Sequence, residues 1–173
     1  MLGAIPIAVT NVSELCMWYE SSNLIHGRTD NAYHQGRIVG GSSGGEGCLI
    51  STGASVFGIG SDIGGSIRMP CFFNGIFGHK GTTGVTSNAG QFPEAKKGGA
   101  AFLSTGPMCR YATDLLPMFK VMAKPEELPK LKLDEKVKHS SFTGYIIGFS
   151  GAADKGYRCS LLTVFFLEFF RLT

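Results

Sequence analysis

Residues 60–68 read GSDIGGSIR, with Ser66 directly behind the glycine pair Gly64 and Gly65. Adjacent glycines weaken helices and strands because they lose the most backbone entropy on folding and bury no side chain. Their presence here indicates a tight turn, a backbone that closely approaches a ligand, or both. The apolar run ASVFGIG, residues 54–60, has the length of a strand and leads into the stretch. Open α/β sheets place their ligands at such strand ends.

Helix and strand signals continue along the chain. EGCLISTGA, residues 46–54, is a small-residue segment typical of a closely packed helix. Residues 69–90 are punctuated by glycines, which predicts a loop. Residues 106–123 are interpreted as a turn followed by a helix, with Thr113 as its cap. The alternation of these elements indicates an α/β fold.

Composition narrows the classes of protein to consider. The 173 residues suffice for one domain, and 43% hydrophobic residues supply its core. A net charge of +3 without a basic stripe argues against a nucleic-acid partner. Five widely spread cysteines without a C-x-x-C pair favour a reduced, intracellular protein. The four histidines lack metal-ligand spacing, so no metal site is predicted.

The two ends of the chain differ in character from its centre. The first residues, MLGAIPIAVTN, lack the basic region of a signal peptide. The run LLTVFFLEFF, residues 161–170, is about half the length of a membrane span and carries Glu168, so it is not predicted to cross a bilayer. Residues 140–173 lack clear periodicity and are predicted to be a divergent tail.

A second glycine loop carries serines. Residues 40–47 read GGSSGGEG, and one helix-like and one strand-like segment separate Ser42 from Ser66. A helix followed by an adjacent strand folds such loops back toward each other, so the two hydroxyls can share one site. A serine hydroxyl is a poor nucleophile until a base takes its proton, and a second serine can relay that proton. Consecutive amides around Ser66 can form a nest for an oxyanion.

Two other interpretations compete for the same glycines. GIGSDIG is close to a dinucleotide-binding fingerprint, but Asp62 inside the loop would repel a pyrophosphate. GGSSGGEG lacks the G-K-[ST] of a phosphate-binding loop. The remaining alternative is that both segments are structural glycine turns with incidental serines, which the pairing of the two loops makes less attractive.

The segments GGSSGGEG, GSDIGGSIRMP, FNGIFGHK and TGPMCR together resemble the amidase signature family. The resemblance covers roughly residues 3–123, and NVSELCMWYESSN is most similar to members that hydrolyse fatty-acid amides. It implies a fragment of that family's fold, with a mixed, mostly parallel sheet flanked by helices. The partial amidase signature domain is expected over residues 1–139, before the divergent tail over residues 140–173.

The family's hydrolases use a serine, a second serine after a cis peptide bond, and a lysine. Carried over by position, Ser66 matches the nucleophile that accepts the acyl group, and Ser42 matches the bridging serine. The resemblance therefore implies a cis peptide bond between Gly41 and Ser42. Ser43 matches a neighbouring serine that holds this network.

The same resemblance assigns roles to the loop around the nucleophile. Asp62 and Arg68 match positions that orient it, with a plain structural ion pair as the equal alternative. The oxyanion hole is expected to comprise the backbone amides of Ile63, Gly64, Gly65 and Ser66.

The family's base is a lysine well before the GGSS segment, but residues 1–79 contain no lysine. The first, Lys80, matches a family position usually occupied by a structural or loop residue. The chain is therefore expected to be a truncated form that lacks the catalytic lysine and any N-terminal membrane anchor. It is expected to show little or no activity alone.

The function implied by the resemblance is hydrolysis of a fatty-acid amide by a Ser–cis-Ser–Lys mechanism, without a metal or organic cofactor. The implied partner is a lipid amide substrate, and nucleic acid is excluded. Membrane association through the N-terminal segment of a full-length relative and a homo-oligomer both stay open. The alternative is a non-catalytic fragment that binds acyl chains or partner subunits.

Overall fold

The structure, a computed structural model, describes residues 4–134 and 162–163. Short 3-10 turns and loops connect its helices and strands. In chain order these elements are β1 (Ser22–Asn23), β2 (Gly27–Arg28), α1 (Gly44–Ser51), β3 (Phe57–Asp62), α2 (Arg68–Phe73), β4 (Phe77–Lys80), β5 (Ser104–Cys109), α3 (Leu115–Met122), α4 (Leu128–Leu131) and β6 (Leu162–Thr163).

A four-stranded sheet organises the described residues, with the strand order β3-β5-β4-β6. β3 and β5 pair over their whole length, from Phe57 opposite Cys109 to Asp62 opposite Ser104. β4 continues the sheet on the other side of β5, with Phe77 also opposite Cys109. β6 adds two residues at the end of β4. β1 and β2 form a separate two-stranded hairpin.

The expected combination of helices and strands is confirmed, but the strand directions differ from the expectation. Each pairing within the described sheet is antiparallel, so a mostly parallel sheet is wrong for this part of the chain. The crossover through α2 leaves β3 and β4 pointing the same way, as in a βαβ unit. β5 then returns between them in the opposite direction, so that no two parallel strands are direct neighbours.

Helices cover both faces of β4, which confirms that they flank the sheet. Gly78 faces α2 so closely that a Cβ at this position would lie 2.4 Å from the Cys71 sulfur. The next residue points to the opposite face, since side chains alternate along a strand. There the ring of His79 meets the ring of Phe119 of α3 edge-on, with 4.7 Å between the centroids.

The main core lies between the sheet and the two helices α1 and α2. Its buried members come from α1, from the α2 region and from β5, and they are Ile50, Ile67, Cys71, Ile76 and Met108. A second cluster forms where α3 packs against the loop after β4, around Val85, Phe119 and Ala123. The main core supports the loop between β3 and α2, because Ile67 belongs to both.

Three local predictions are wrong. Residues 69–90 contain most of α2 and all of β4 rather than a continuous loop. The predicted turn at Gly106 lies inside β5. α3 begins after Asp114, whose side chain makes no capping hydrogen bond, so Thr113 is not the cap. Gly78 and Gly106, which suggested turns, instead allow close packing, Gly78 against α2 and Gly106 against the backbone of β4.

The predicted tail, residues 140–173, lies outside the described residues except for Leu162–Thr163. The predicted boundary at residue 139 also lies outside them, so this division of the chain stays a prediction. Among the helices that the structure describes, none has the length and apolar character needed to cross a membrane.

His79 is a buried titratable group on the face of β4 that packs against α3. Within the described part of the chain its Nε2 atom is buried and has no hydrogen-bond partner. Burial lowers the pKa of His79 from 6.5 to about 4, because the charged ring would lose its hydration without gaining an acceptor. The neutral ring is therefore the form that packs against Phe119.

We predict that Ile67→Ala lowers the free energy of unfolding by about 2–5 kcal/mol, since it leaves a cavity in the main core. Ile25→Ala removes the same atoms from a side chain that is 85% exposed and should change stability little. Urea unfolding followed by circular dichroism measures both. Equal losses from the two variants would contradict the assignment of the core.

We predict that burial of neutral His79 makes stability depend on pH. Its folded pKa of about 4 lies below the unfolded value of 6.5, so the unfolded chain binds more protons between them. Stability should fall by about 3 kcal/mol as the pH drops from above 6.5 to 4. Urea midpoints measured across this range should depend less on pH in His79→Gln. Substitution of exposed His26 by Gln serves as the control, and an unchanged pH dependence in His79→Gln would contradict the prediction.

Candidate active site

Ser66 lies in the tight connection between β3, which ends at Asp62, and α2, which begins at Arg68. The Ser66 residue is half-buried. Gly65 before it has φ of +131°, a backbone conformation that other residues rarely adopt. This requirement explains one glycine of the GGS sequence, because a side chain at residue 65 would strain the turn that presents Ser66.

The carboxylate of Asp62 holds this connection from inside. Its Oδ1 accepts hydrogen bonds from the Gly65 amide at 2.8 Å and from the Arg68 guanidinium at 2.9 Å. Its Oδ2 accepts from the amide of Ile67 at 3.1 Å and from Arg68 Nε at 3.0 Å. Lys80 Nζ lies 3.2 Å from Oδ1. One carboxylate therefore fixes both ends of the loop and links it to β4.

The Asp62 side chain is fully buried, yet it is held in its ionised form. Burial alone would raise its pKa. Hydrogen bonds and charge from Arg68, the charge of Lys80 and the Ile67 amide outweigh burial and lower the pKa of Asp62 to about 2. Both predicted interpretations of Asp62 and Arg68 therefore describe one arrangement, an ion pair that also shapes the loop.

The GGSS loop adopts an unusual backbone conformation. The peptide bond between Gly41 and Ser42 is cis, as predicted. The buried hydroxyl of Ser21 holds this loop together. Its Oγ accepts a hydrogen bond from the Gly44 amide at 2.8 Å and lies 3.0 Å from the carbonyl oxygens of both Gly40 and Ser42, to which its O–H donates. The loop thus encloses a single hydroxyl that satisfies its inward-facing polar groups.

Ser21 was not among the predicted site residues. It lies just before the hairpin of β1 and β2, among polar residues of the kind that usually lie at a protein surface. Its complete burial follows only from the packing of the GGSS loop around it. The sequence contains no signal beyond a small hydroxyl residue, so only the structure identifies this contact.

The two serine loops lie side by side. The Ser43 amide donates a hydrogen bond to the Ser66 carbonyl at 3.1 Å. Ser43 also faces β3, where a Cβ at Gly60 would lie 2.9 Å from its Oγ. Ser42 is 2% exposed. Within the described residues the hydroxyls of Ser42 and Ser66 do not hydrogen-bond to each other, so main-chain atoms provide the direct link between the loops.

The four amides expected at an oxyanion hole differ in their availability. The Gly65 amide donates a hydrogen bond to Asp62 and is therefore not free to bind an oxyanion, contrary to the expectation. In the part of the chain that the structure describes, the amides of Ile63, Gly64 and Ser66 have no hydrogen-bond acceptor. Ile63 and Gly64 are exposed to solvent. A bound anion or carbonyl oxygen could therefore reach unpaired donors at this turn.

Lys80 reaches the loop from the end of β4. Its Nζ donates to the Ile63 carbonyl at 2.7 Å and to Asp62 at 3.2 Å. This agrees with a structural position for Lys80 rather than that of a base beside the bridging serine. Among the described residues no group of three His, Cys, Asp or Glu side chains is placed to hold a metal ion.

We predict that Asp62→Asn destabilises the chain by about 2 kcal/mol at pH 7, because it removes the carboxylate that pairs with the partly buried charges of Arg68 and Lys80. The folded pKa of about 2 lies below the unfolded value of 3.8. The wild type should therefore exceed Asp62→Asn in free energy of unfolding by the full amount above pH 4, and this difference should disappear as the pH falls toward 2. Urea unfolding over this range tests the prediction, with Asp134→Asn, 86% exposed, as the control. A constant difference between Asp62→Asn and the wild type would contradict it.

Comparison with known proteins agrees with this geometry. A model of the Amidase family matches residues 1–145. The chain is 60% identical to fatty-acid amide hydrolase 2 of Homo sapiens over 151 residues, which are 87% of this chain and 28% of that protein. It is 63% identical to fatty-acid amide hydrolase 2-B of Danio rerio over 78% of this chain and 26% of that protein.

A solved structure of a fatty acid amide hydrolase superposes with a TM-score of 0.57 at 34% identity. The match covers 69% of this chain and 21% of that protein. The chain thus spans roughly a quarter of the length of the relatives it matches. On the extent of the family match and the identity to these relatives, the chain belongs to the amidase signature family.

Proposed function

We propose that this chain carries the nucleophile of a serine amidase, and that the complete site hydrolyses the amide bond of fatty-acid amides. The observation that carries the proposal is the joining of the two serine loops, through the hydrogen bond from the Ser43 amide to the Ser66 carbonyl. This contact places the Ser66 turn, with its unpaired amides, beside the cis peptide bond that precedes Ser42.

The reaction follows from the roles of these groups. The Ser66 Oγ attacks the amide carbonyl carbon while its proton passes to Ser42 and from there to a base. The carbonyl oxygen becomes an oxyanion, which the loop amides stabilise. The C–N bond then breaks and the amine leaves with a proton. Water attacks the resulting ester on Ser66, which releases the fatty acid and returns the proton to the serine.

Among the described residues no side chain hydrogen-bonds to the Ser42 hydroxyl, so the base of this relay is not assigned to any of them. No lysine precedes Lys80 in the sequence, and the ammonium of Lys80 is bound to Asp62 and to the Ile63 carbonyl. A general base contributes about 10²–10⁴-fold to the rate. We therefore propose that the chain alone turns over amides slowly or not at all, although it presents the nucleophile.

The proposed substrate class rests on the relatives. Two relatives named as fatty-acid amide hydrolases are 60–63% identical to this chain over most of its length. A nearby solved structure also bears that name. Fatty-acid amides are accordingly the first substrates to test, in preference to small amides.

We predict that a fluorophosphonate probe labels the chain at Ser66. The Ser66 oxygen bonds to phosphorus, fluoride leaves, and the hydroxyl proton passes to the solvent. Labelling should disappear in Ser66→Ala, because the attacking oxygen is removed. Ser61→Ala, on the neighbouring strand β3, is the matched control and should label normally.

Mass spectrometry of tryptic peptides identifies the labelled serine. Labelling that survives in Ser66→Ala would place the nucleophile elsewhere. A wild-type chain that stays unlabelled, while circular dichroism shows a folded protein, would contradict the proposed site. The chain would then fit the alternative of a non-catalytic fragment that binds acyl chains or partner subunits.

A further inference from the structure

The orientation of the peptide units in the Ser66 turn can be followed from their carbonyl contacts. In a trans peptide the C=O and N–H groups point to opposite sides. The peptide between Ile63 and Gly64 is trans, and its carbonyl accepts from Lys80 Nζ at 2.7 Å. The Gly64 amide therefore points away from Lys80 and from the buried network around Asp62.

The same relation holds two residues later. The carbonyl of Gly65 accepts from the Met69 amide in α2 at 2.7 Å, so the Ser66 amide points away from the helix. Between these two units, the Gly65 amide points inward to Asp62. Successive amides of the turn thus alternate in direction, and the outward pair, Gly64 and Ser66, has no acceptor among the described residues.

We propose that Lys80 is a positioning residue of the oxyanion hole, and that the amides of Gly64 and Ser66, without that of Gly65, bind the oxyanion. This inference rests on the proposed function of Ser66. Lys80 acts through the Ile63 carbonyl: it fixes the plane of the 63–64 peptide and thereby aims the Gly64 amide.

A lysine suits this role because its positive charge strengthens the hydrogen bond to the Ile63 carbonyl. A hydrogen bond from an ammonium group is about twice as strong as one between neutral groups. It also polarises the peptide whose carbonyl it binds, which makes the opposite N–H a better donor. The Lys80 side chain is 13% exposed, and its hydrogen bond to the Ile63 carbonyl lies at the exposed edge of the turn. The contact with Asp62 at 3.2 Å holds the ammonium in place.

The position of Lys80 in the fold supports the same role. It ends β4, and β4 is held in register by β5 on one side and by β6 on the other, where Lys80 lies opposite Leu162. A residue on a paired strand presents its side chain more reproducibly than a residue on a loop. Arg68, the other cation at Asp62, contacts the carboxylate and not the Ile63 carbonyl.

The first test compares rates of fluorophosphonate labelling at Ser66. Loss of one oxyanion-hole donor slows such reactions about 10²–10³-fold, so misorientation of the Gly64 amide in Lys80→Met should slow labelling at least about tenfold. Lys80→Arg keeps a charged donor and should recover most of the rate. Lys130→Met removes an exposed lysine that also pairs with a carboxylate, and should label as the wild type. Equal rates in wild type and folded Lys80→Met would overturn the proposal.

The second test is independent of reactivity and uses nuclear magnetic resonance. In the wild-type chain, a scalar coupling through the hydrogen bond should connect Lys80 Nζ with the Ile63 carbonyl carbon. In Lys80→Met, the Ile63 carbonyl and Gly64 amide nitrogen resonances should shift, while Lys130→Met leaves them unchanged. Absence of the wild-type coupling would overturn the role of Lys80, even if Lys80→Met fails to fold. If Ser66 is unlabelled in the wild type, the proposed function fails, but the coupling still decides whether Lys80 orients this peptide.

Discussion

The ionised carboxylate of Asp62 is the interaction on which the site depends. A buried charge is costly unless it is paired and hydrogen-bonded, and here both oxygens are saturated by main-chain amides, Arg68 and Lys80. Because these donors come from both ends of the turn and from β4, the carboxylate converts a flexible glycine sequence into one conformation. The direction of the outward amides follows from what Asp62 and its partners bind on the inside.

The sheet supplies the rigidity that this arrangement needs. β3 delivers Asp62, the crossover through α2 delivers Arg68, and β4 returns with Lys80 to the same carboxylate. The close packing at Gly78 allows α2 to lie directly on the sheet. The GGSS loop is built separately, around the hydroxyl of Ser21, and then joins the Ser66 turn through one main-chain hydrogen bond. The two halves of the site are thus shaped by different buried polar groups.

The two serine loops, the strand before Asp62 and the helix after the GGSS segment can be predicted from the sequence, because their glycines and apolar runs are local signals. The cis bond before Ser42 came from the resemblance to a family and not from the residues themselves. The direction of β5 and the existence of β4 were missed, since their glycines serve packing and resemble turns in sequence. The role of Ser21 could not be predicted, because it depends on contacts with a loop about twenty residues later in the chain. The inward direction of the Gly65 amide could not be predicted either, because it depends on the path of the backbone through the turn.

The most direct test of this account is the titration of the Asp62 carboxyl carbon by nuclear magnetic resonance in the folded chain. We expect a midpoint near pH 2, with the amide protons of Gly65 and Ile67 shifting together with the carboxyl carbon. A midpoint at or above 3.8, with these amide protons unaffected, would show that the carboxylate does not organise the turn.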